Sequence, residues 1–295
     1  MASAELRIIR RRIRSVKSTM KITRAMELIA ASRIVKAQQR VAAAQPYTDK
    51  MNEVIRNVAA ASGSASHALL DAREVKTAGI LAVTSDRGLA GGYNSSILRM
   101  AEAKLIEHKD AGIDTRVYAV GRKAQAYFKY RKYQIQQVFL GVTDTPGYGD
   151  ARAIANIVMN DYAEGTVDSI EVFTTRYVSA LTQTPMRWPL LPIEPPEAIE
   201  VPESAAGTVG YTYEPDAESI LGRLLPRYVE AMAFGILLDA SASEHAARRR
   251  AMKAATENAD ELVRILSRRA NQARQAEITT EILEIVGGAE ALTHG

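Results

Sequence analysis

Residues 4–61 of this 295-residue chain read as a single helix too long to bury itself inside a domain. Apolar or small residues recur at Leu6, Ile9, Ile13, Val16, Met20 and Thr23, in alternating steps of three and four. The pattern resumes one step out of phase at Met26, Ala30, Ile34, Ala37, Val41 and Ala44, and Met51, Val54 and Val58 extend it. That spacing predicts a coiled-coil seam with a break in phase near 23–26. Ser3 offers an N-cap and Gly63 a stop. Pro46 should bend the helix rather than end it, because the pattern runs on beyond it.

The other end of the chain mirrors this. From Asp216, an N-cap candidate, to Gly287-Gly288 a stripe runs through Ile220, Leu224, Val229, Met232, Ile236, Ala240, Ala247, Ala251, Ala254, Leu262, Ile265, Ala273, Ala276 and Leu283. At ~1.5 Å per residue the two helices span roughly 85 and 105 Å, whereas a compact domain of this size is about 40 Å across. Pairing with each other, antiparallel and across a central domain, is the simplest way to cover both stripes.

The middle of the chain alternates. "AGILAVT" (78–84), "TRVYAVG" (115–121), "IQQVFLG" (135–141) and "SIEVFTTRYVS" (169–179) have the look of strands. Helical stretches near 95–110, 122–131 and 150–164 separate them. This order implies an α/β domain on a mostly parallel sheet. "WPLLPIEPPEAIEVPE" (188–203) reads as an extended, proline-rich surface excursion. The organisation is thus 1–62 N-terminal coiled-coil helix, 75–213 α/β domain, 214–295 C-terminal coiled-coil helix.

Charge is unevenly spread. The first 40 residues hold eleven Lys/Arg against Glu5 and Glu27, a balance of +9. The whole chain carries only +4, so the remaining 255 residues total −5. A basic arm suits nucleic acid, anionic lipid or an acidic protein surface. A DNA-contacting basic region is polar all round, whereas here the apolar stripe runs through the basic section itself. A membrane-surface helix wants Trp or Phe anchors, and none precedes Phe128. A helix packed on a helix, showing Lys/Arg to acidic protein partners, fits better. The longest apolar run, "AMAFGILL" (231–238), is far short of the ~20 residues that cross a bilayer. No apolar stretch follows the N-terminal charges, which argues against a signal peptide.

A catalytic reading finds little support. "SDRGLAGGYN" (85–94) is a glycine-rich turn between a strand and a helix, a place where α/β proteins cradle phosphate. It lacks the Gly-Lys-Ser/Thr of a phosphate loop, and Gly88, Gly91 and Gly92 do not give the dinucleotide fingerprint. They read as structural turn and packing residues, leaving Asp86 and Arg87 free for partner contact. His67, His108, His245 and His294 show no metal-ligand spacing, and no Gly-x-Ser-x-Gly elbow occurs. With no cysteine, disulfides and thiol nucleophiles are excluded. Glu257 and Glu261 read as solvated surface charge. No catalytic site, metal or cofactor is expected. A stand-alone nucleotide-binding α/β protein with helical arms remains the competing reading.

Four blocks add a resemblance. "IRSVKSTMKITRAMELIAASR" (13–33), "SDRGLAGGYN", "EHAARRRAMKAATENA" (244–259) and "ARQAEITTEILEIVGGAEAL" (273–292) resemble, in this order, the γ subunits of F-type ATP synthases, and "YTYEPD" (211–216) resembles their foot segment. The likeness covers nearly the full length. It implies an antiparallel coiled coil of the terminal helices with a Rossmann-like α/β domain, acting as the rotor shaft that couples proton flow through a c-ring to nucleotide chemistry elsewhere. Implied partners are α, β and δ/ε-type subunits and the membrane c-ring, with one copy per complex, peripheral on the cytoplasmic face of a bacterial membrane. No nucleic acid, membrane insertion or cofactor is implied.

Residue by residue, the resemblance places Lys21, Arg24 and Met26 against an acidic loop of β. Arg248, Arg274 and Gln275 fall on positions that catch the ring, with Thr279 and Glu281 on the next turn, and Tyr211 and Glu214 face ε and the c-ring. Ala90 stands where the family often has Cys, and Thr280 where it has Gln. The triple arginine at 248–250 is more basic than the family pattern.

Overall fold

The computed structural model describes residues 4–62, 67–193 and 217–293. Ser3, Gly63, Tyr211, Glu214, Asp216 and the proline-rich stretch from 194 onward lie outside the described residues. The chain forms two compact units, Met1–Ala30 with Arg249–Gly295, and Ala31–Arg248. Helices α1 (Ala4–Ser62) and α5 (Ala217–Thr293) each contribute to both.

In the first unit, residues 4–30 of α1 pair with the last part of α5. Leu6, Thr23, Glu27 and Ala30 are buried on α1, and Met252, Ala259 and Leu266 on α5. The Thr23 and Thr256 hydroxyls meet at 2.8 Å. In the second unit the end of α1 (Met51, Ile55, Val58) shares a core with the start of α5 (Leu221, Leu225, Val229). First half with last part and second half with first part is the antiparallel arrangement.

The seam departs from the expected phase break. Buried and half-buried positions on α1 step by three and four without interruption: Leu6, Ile9, Ile13, Val16, Met20, Thr23, Glu27 and Ala30, then Ile34, Ala37, Val41, Ala44, Thr48, Met51, Ile55 and Val58. The apparent break arises because a polar residue, Glu27, holds a seam position and is only 8% exposed. Its Oε2 accepts from Arg24 Nη1 at 2.9 Å, which keeps the carboxylate paired while its stem lies in the seam. Polar seam residues fix register at some cost in stability. Likewise Val54 is 40% exposed, and Ile55 beside it, 1% exposed, is the core residue.

On α5 the expected stripe drifts off the seam. Ala254, Ile265, Ala276 and Leu283 are exposed, and Met252, Ala259 and Leu266 take the inner positions. Nor do Gly287 and Gly288 end α5, which runs to Thr293. Neither takes the positive φ of a helix-ending glycine.

The second unit holds the sheet: β1 (Thr77–Val83), β2 (Asp114–Val120), β3 (Ile135–Phe139), β4 (Ser169–Tyr177) and β5 (Gln183–Leu191), in the order β3-β2-β1-β4-β5. The first four strands run parallel, and each follows a sequence-predicted segment. Ile80, Ala82, Val117 and Ala119 face α2 (Tyr93–Asp110) and α3 (Arg122–Tyr130). Leu81, Val83, Tyr118 and Val120 face α4 (Tyr148–Ala163) and the ends of α1 and α5. Strands covered on both faces read as continuous apolar runs, which is why they are legible. β5 is not. It pairs antiparallel with β4 and contains Pro185 and Pro189, so Trp188–Leu191 belongs to the sheet rather than to a surface excursion. An edge strand tolerates proline because one row of its N–H groups has no ladder to serve.

Candidate functional site

The glycine-rich turn leaves the C-terminal end of β1. Ser85 N–H donates to Asn94 Oδ1 at 2.9 Å, and Leu89 and Gly91 both adopt positive φ, 63° and 57°. Gly91 is therefore the turn's conformational requirement. A Cβ on Gly88 would meet only Lys123 at 3.6 Å, and one on Gly92 the Ser96 hydroxyl at 3.8 Å, both ordinary contacts. The turn's most demanding glycine lies outside it: Gly121, at φ 89°, would place a Cβ 2.3 Å from the Thr84 carbonyl oxygen.

Asp86 does what a bound phosphate would do. Its carboxylate accepts from the Arg122 N–H at 3.0 Å, in the first turn of α3, from the Gly141 N–H at 3.0 Å, and from the Thr143 hydroxyl at 3.2 Å. The anion position at that helix N-terminus is filled by the chain's own side chain. In sheets of this kind ligands enter where the strand order reverses, here between β1 and β4. That crevice holds α5. Tyr93 Oη donates to the Ala240 carbonyl at 3.2 Å, and Ser243 Oγ to the Thr175 carbonyl at 3.3 Å.

Every residue of α5 from Ala240 to Arg248 is buried, so the polar ones need partners. Arg248 Nη2 donates to Glu244 Oε1 at 2.6 Å and to the Gly88 carbonyl at 3.3 Å. Ser241 Oγ and His245 Nε2 both reach the Asp144 carbonyl, at 3.1 and 3.2 Å. The Asp144 carboxylate pairs with Arg33 and lies 3.7 Å from Arg87 Nη2. Burial pushes the Glu244 carboxyl up to about 7, against the pull of Arg248. Burial lowers His245 and so favours the neutral imidazole; a proton on Nε2 would serve the Asp144 carbonyl, and Nδ1 is buried without a partner. Asp144, Glu244 and His245 bring donor atoms within 4.8 Å of one another, the spacing of a cation site. The cations already there are guanidiniums, Arg33 on one carboxylate and Arg248 on the other.

The sequence-predicted contact residues fall into separate groups. Arg248 is 7% exposed and commits its donors inside the second unit. Asp86 is likewise engaged internally, while Arg87 keeps 65% of its side chain in solvent. In the first unit Lys21 and Arg24 are exposed and line one hollow with Met20, Leu28 and the Asp260–Arg264 ion pair. Met26 is half-buried beside it in sequence but does not line it. Arg274, Gln275, Thr279 and Glu281 are exposed, with Thr279 Oγ1 donating to the Gln275 carbonyl at 3.0 Å.

An apolar ridge on α5 was not foreseen. Ile278 is 47% exposed, Ile282 55%, Ile285 72%, Val286 56% and Leu292 87%. The cause is length. Thr256 lies opposite Thr23, and Ala4 is nineteen residues before Thr23, so the described part of α1 ends near the level of Gln275. The signal was available, because α5 has 77 residues and α1 only 59.

Fold and site define a class: a sheet domain carried between two terminal helices that pair antiparallel, with its ligand crevice filled from within and apolar side chains displayed on the paired helices. A family model described as ATP synthase matches residues 5–292. The ATP synthase gamma chain of Acidothermus cellulolyticus is 51% identical over 296 residues, covering 98% of this chain and 97% of the relative. That of Saccharopolyspora erythraea is 48% identical over 305 residues, covering 98% of each. Among solved structures, a chain of the Euglena gracilis mitochondrial ATP synthase shares the fold at TM-score 0.67 and 17% identity, covering 99% of this chain and 95% of that one. A chain of the Tetrahymena thermophila mitochondrial ATP synthase central stalk and c-ring does so at 0.61 and 21%, covering 79% and 99%. The chain belongs to the ATP synthase gamma chain family, and its role is that of the rotary central-stalk subunit of this membrane-associated complex. Among the described residues no helix is long and apolar enough to cross a membrane.

Proposed function

We propose that the chain carries rotation between a membrane c-ring and a ring of three α and three β subunits, with no catalytic site of its own. Proton flow turns the foot, and each angle of the paired helices favours a different nucleotide affinity at each β site. This is coupling between sites through an element with distinct states. One copy serves the complex, on the cytoplasmic face of a bacterial membrane, with a δ/ε-type subunit and the c-ring at the foot near Tyr211 and Glu214. Lys21, Arg24 and Met26 meet an acidic β loop. Arg274, Gln275, Thr279 and Glu281 form a polar catch at the base of the exposed tail. Arg248 acts indirectly, by holding the buried cluster.

The apolar ridge from Ile278 to Leu292 carries this reading. A stand-alone protein gains nothing by showing such a ridge to water, whereas an enclosing sleeve covers it. In the assembled complex, Met26→Lys or truncation after Ala270 is expected to abolish most coupled ATP synthesis. Synthesis at the parental rate in both variants would refute the reading. Titration calorimetry of the isolated chain should detect no ATP binding.

A further inference from the structure

The second unit contains a cavity of about 490 Å³ between α1, β4, β5 and α5. Trp188, Tyr228 and Met232 supply flat or soft apolar wall, and Arg56, Arg176 and Asp239 supply charge. Elsewhere in this unit Glu244 pairs with Arg248, Asp168 with Arg73 and Glu102 with Arg131. None of Arg56, Arg176 and Asp239 has an ion-pair partner among the described residues, and Arg56 Nε and Thr174 Oγ1 are buried with no hydrogen-bond partner. Burial pushes the Asp239 carboxyl up to about 6, against the pull of the Arg176 charge. Arg176 lies exposed at the rim, whereas a buried donor and hydroxyl without partners are costly, so the wall around Arg56 Nε and Thr174 Oγ1 suits an occupant that supplies acceptors. Its volume lies within the roughly 300–1,000 Å³ of small-ligand sites, where a mainly apolar lining carries a few polar anchors.

We propose that this cavity binds a small aromatic anion, its ring against Trp188 and Tyr228 and its acidic group taken by Arg56, with Arg176 at the rim. A guanidinium whose Nε–H lacks an acceptor suits a carboxylate or sulfonate, which offers oxygens in the plane of the fork. The aromatic wall selects a flat hydrophobic body. Occupancy ties α1, β4, β5 and α5 to one molecule, a role separate from torque transfer.

The probe is 8-anilinonaphthalene-1-sulfonate, titrated into the full chain. Trp188 is the only tryptophan in the sequence, so energy transfer from indole to probe reports binding near Trp188, and the arginine variants assign that binding to this cavity rather than to the neighbouring hollow that Trp188 also lines. Saturable quenching of Trp188 emission at one probe per chain is expected. Arg56→Ala should weaken it about tenfold or more, since a charge-assisted hydrogen bond is lost. Arg176→Ala, an exposed rim position, should weaken it by a smaller factor and serves as the test where the Arg56 variant fails to fold. The uncharged analogue N-phenyl-1-naphthylamine should bind less tightly. Quenching that never saturates, or equal affinity in both arginine variants, or equal affinity for the uncharged analogue, would overturn the proposal.

Discussion

Glu244 and His245 are adjacent, both 2% exposed, and burial moves their proton affinities in opposite directions. The consequences for stability therefore oppose each other. Glu244 holds its proton more tightly in the folded chain, with the carboxyl displaced from 4.5 to about 7. The stability tied to that proton is present below about pH 4.5 and lost as pH rises through about 7. At ~1.36 kcal/mol per pH unit it amounts to about 3 kcal/mol. His245 is lowered from 6.5, so the unfolded chain takes up its proton first and stability falls as pH drops below that value. Below about pH 6.5 the two slopes oppose each other, and there the parent should show a shallower profile than either single variant. Glu244→Gln leaves the histidine slope alone, so stability should fall on acidification. His245→Gln leaves the glutamate slope, so stability should fall on alkalinisation. Urea unfolding followed by circular dichroism across this range reads both slopes directly. Two variants that keep the parent's profile, or that change it in the same direction, would refute the reasoning.

Other substitutions probe single contacts. Gly121→Ala should cost about 3 kcal/mol or more, because the new Cβ meets the Thr84 carbonyl at 2.3 Å on backbone with φ 89°. Gly88→Ala, facing Lys123 at 3.6 Å, should stay within about 1 kcal/mol of the parent, and denaturant midpoints compare the two. Glu27→Leu should raise the melting temperature, since a seam position 8% exposed gains apolar area and loses an enclosed carboxylate, a change of about 1–2 kcal/mol. A lower melting temperature would mean that the Arg24–Glu27 pair outweighs the seam.

The legible parts of the fold share one property: pattern and packing agree. β1, β2 and β4 are apolar runs because both faces are covered, and the steps from Leu6 to Thr23 are those of a packed stripe. Where a local rule was broken for a tertiary reason, the sequence misled. Glu27 in the seam looked like a break in phase. Pro185 and Pro189 concealed an edge strand. Alanine-rich stretches of α5 offer several equivalent stripes, and only the partner helix decides that Met252 and Ala259 face inward while Ala254 does not. The buried cluster was out of reach, since Asp144 and His245 stand about a hundred positions apart and meet only through α5's place beside the sheet. The exposed ridge was within reach by comparing helix lengths, once both ends were known.

The central claim is that this chain turns. With the chain assembled in the proposed ring of α and β subunits and a bead fixed near its foot, the account predicts stepwise rotation in one direction when ATP is supplied. Steady ATP hydrolysis with the bead stationary would contradict it.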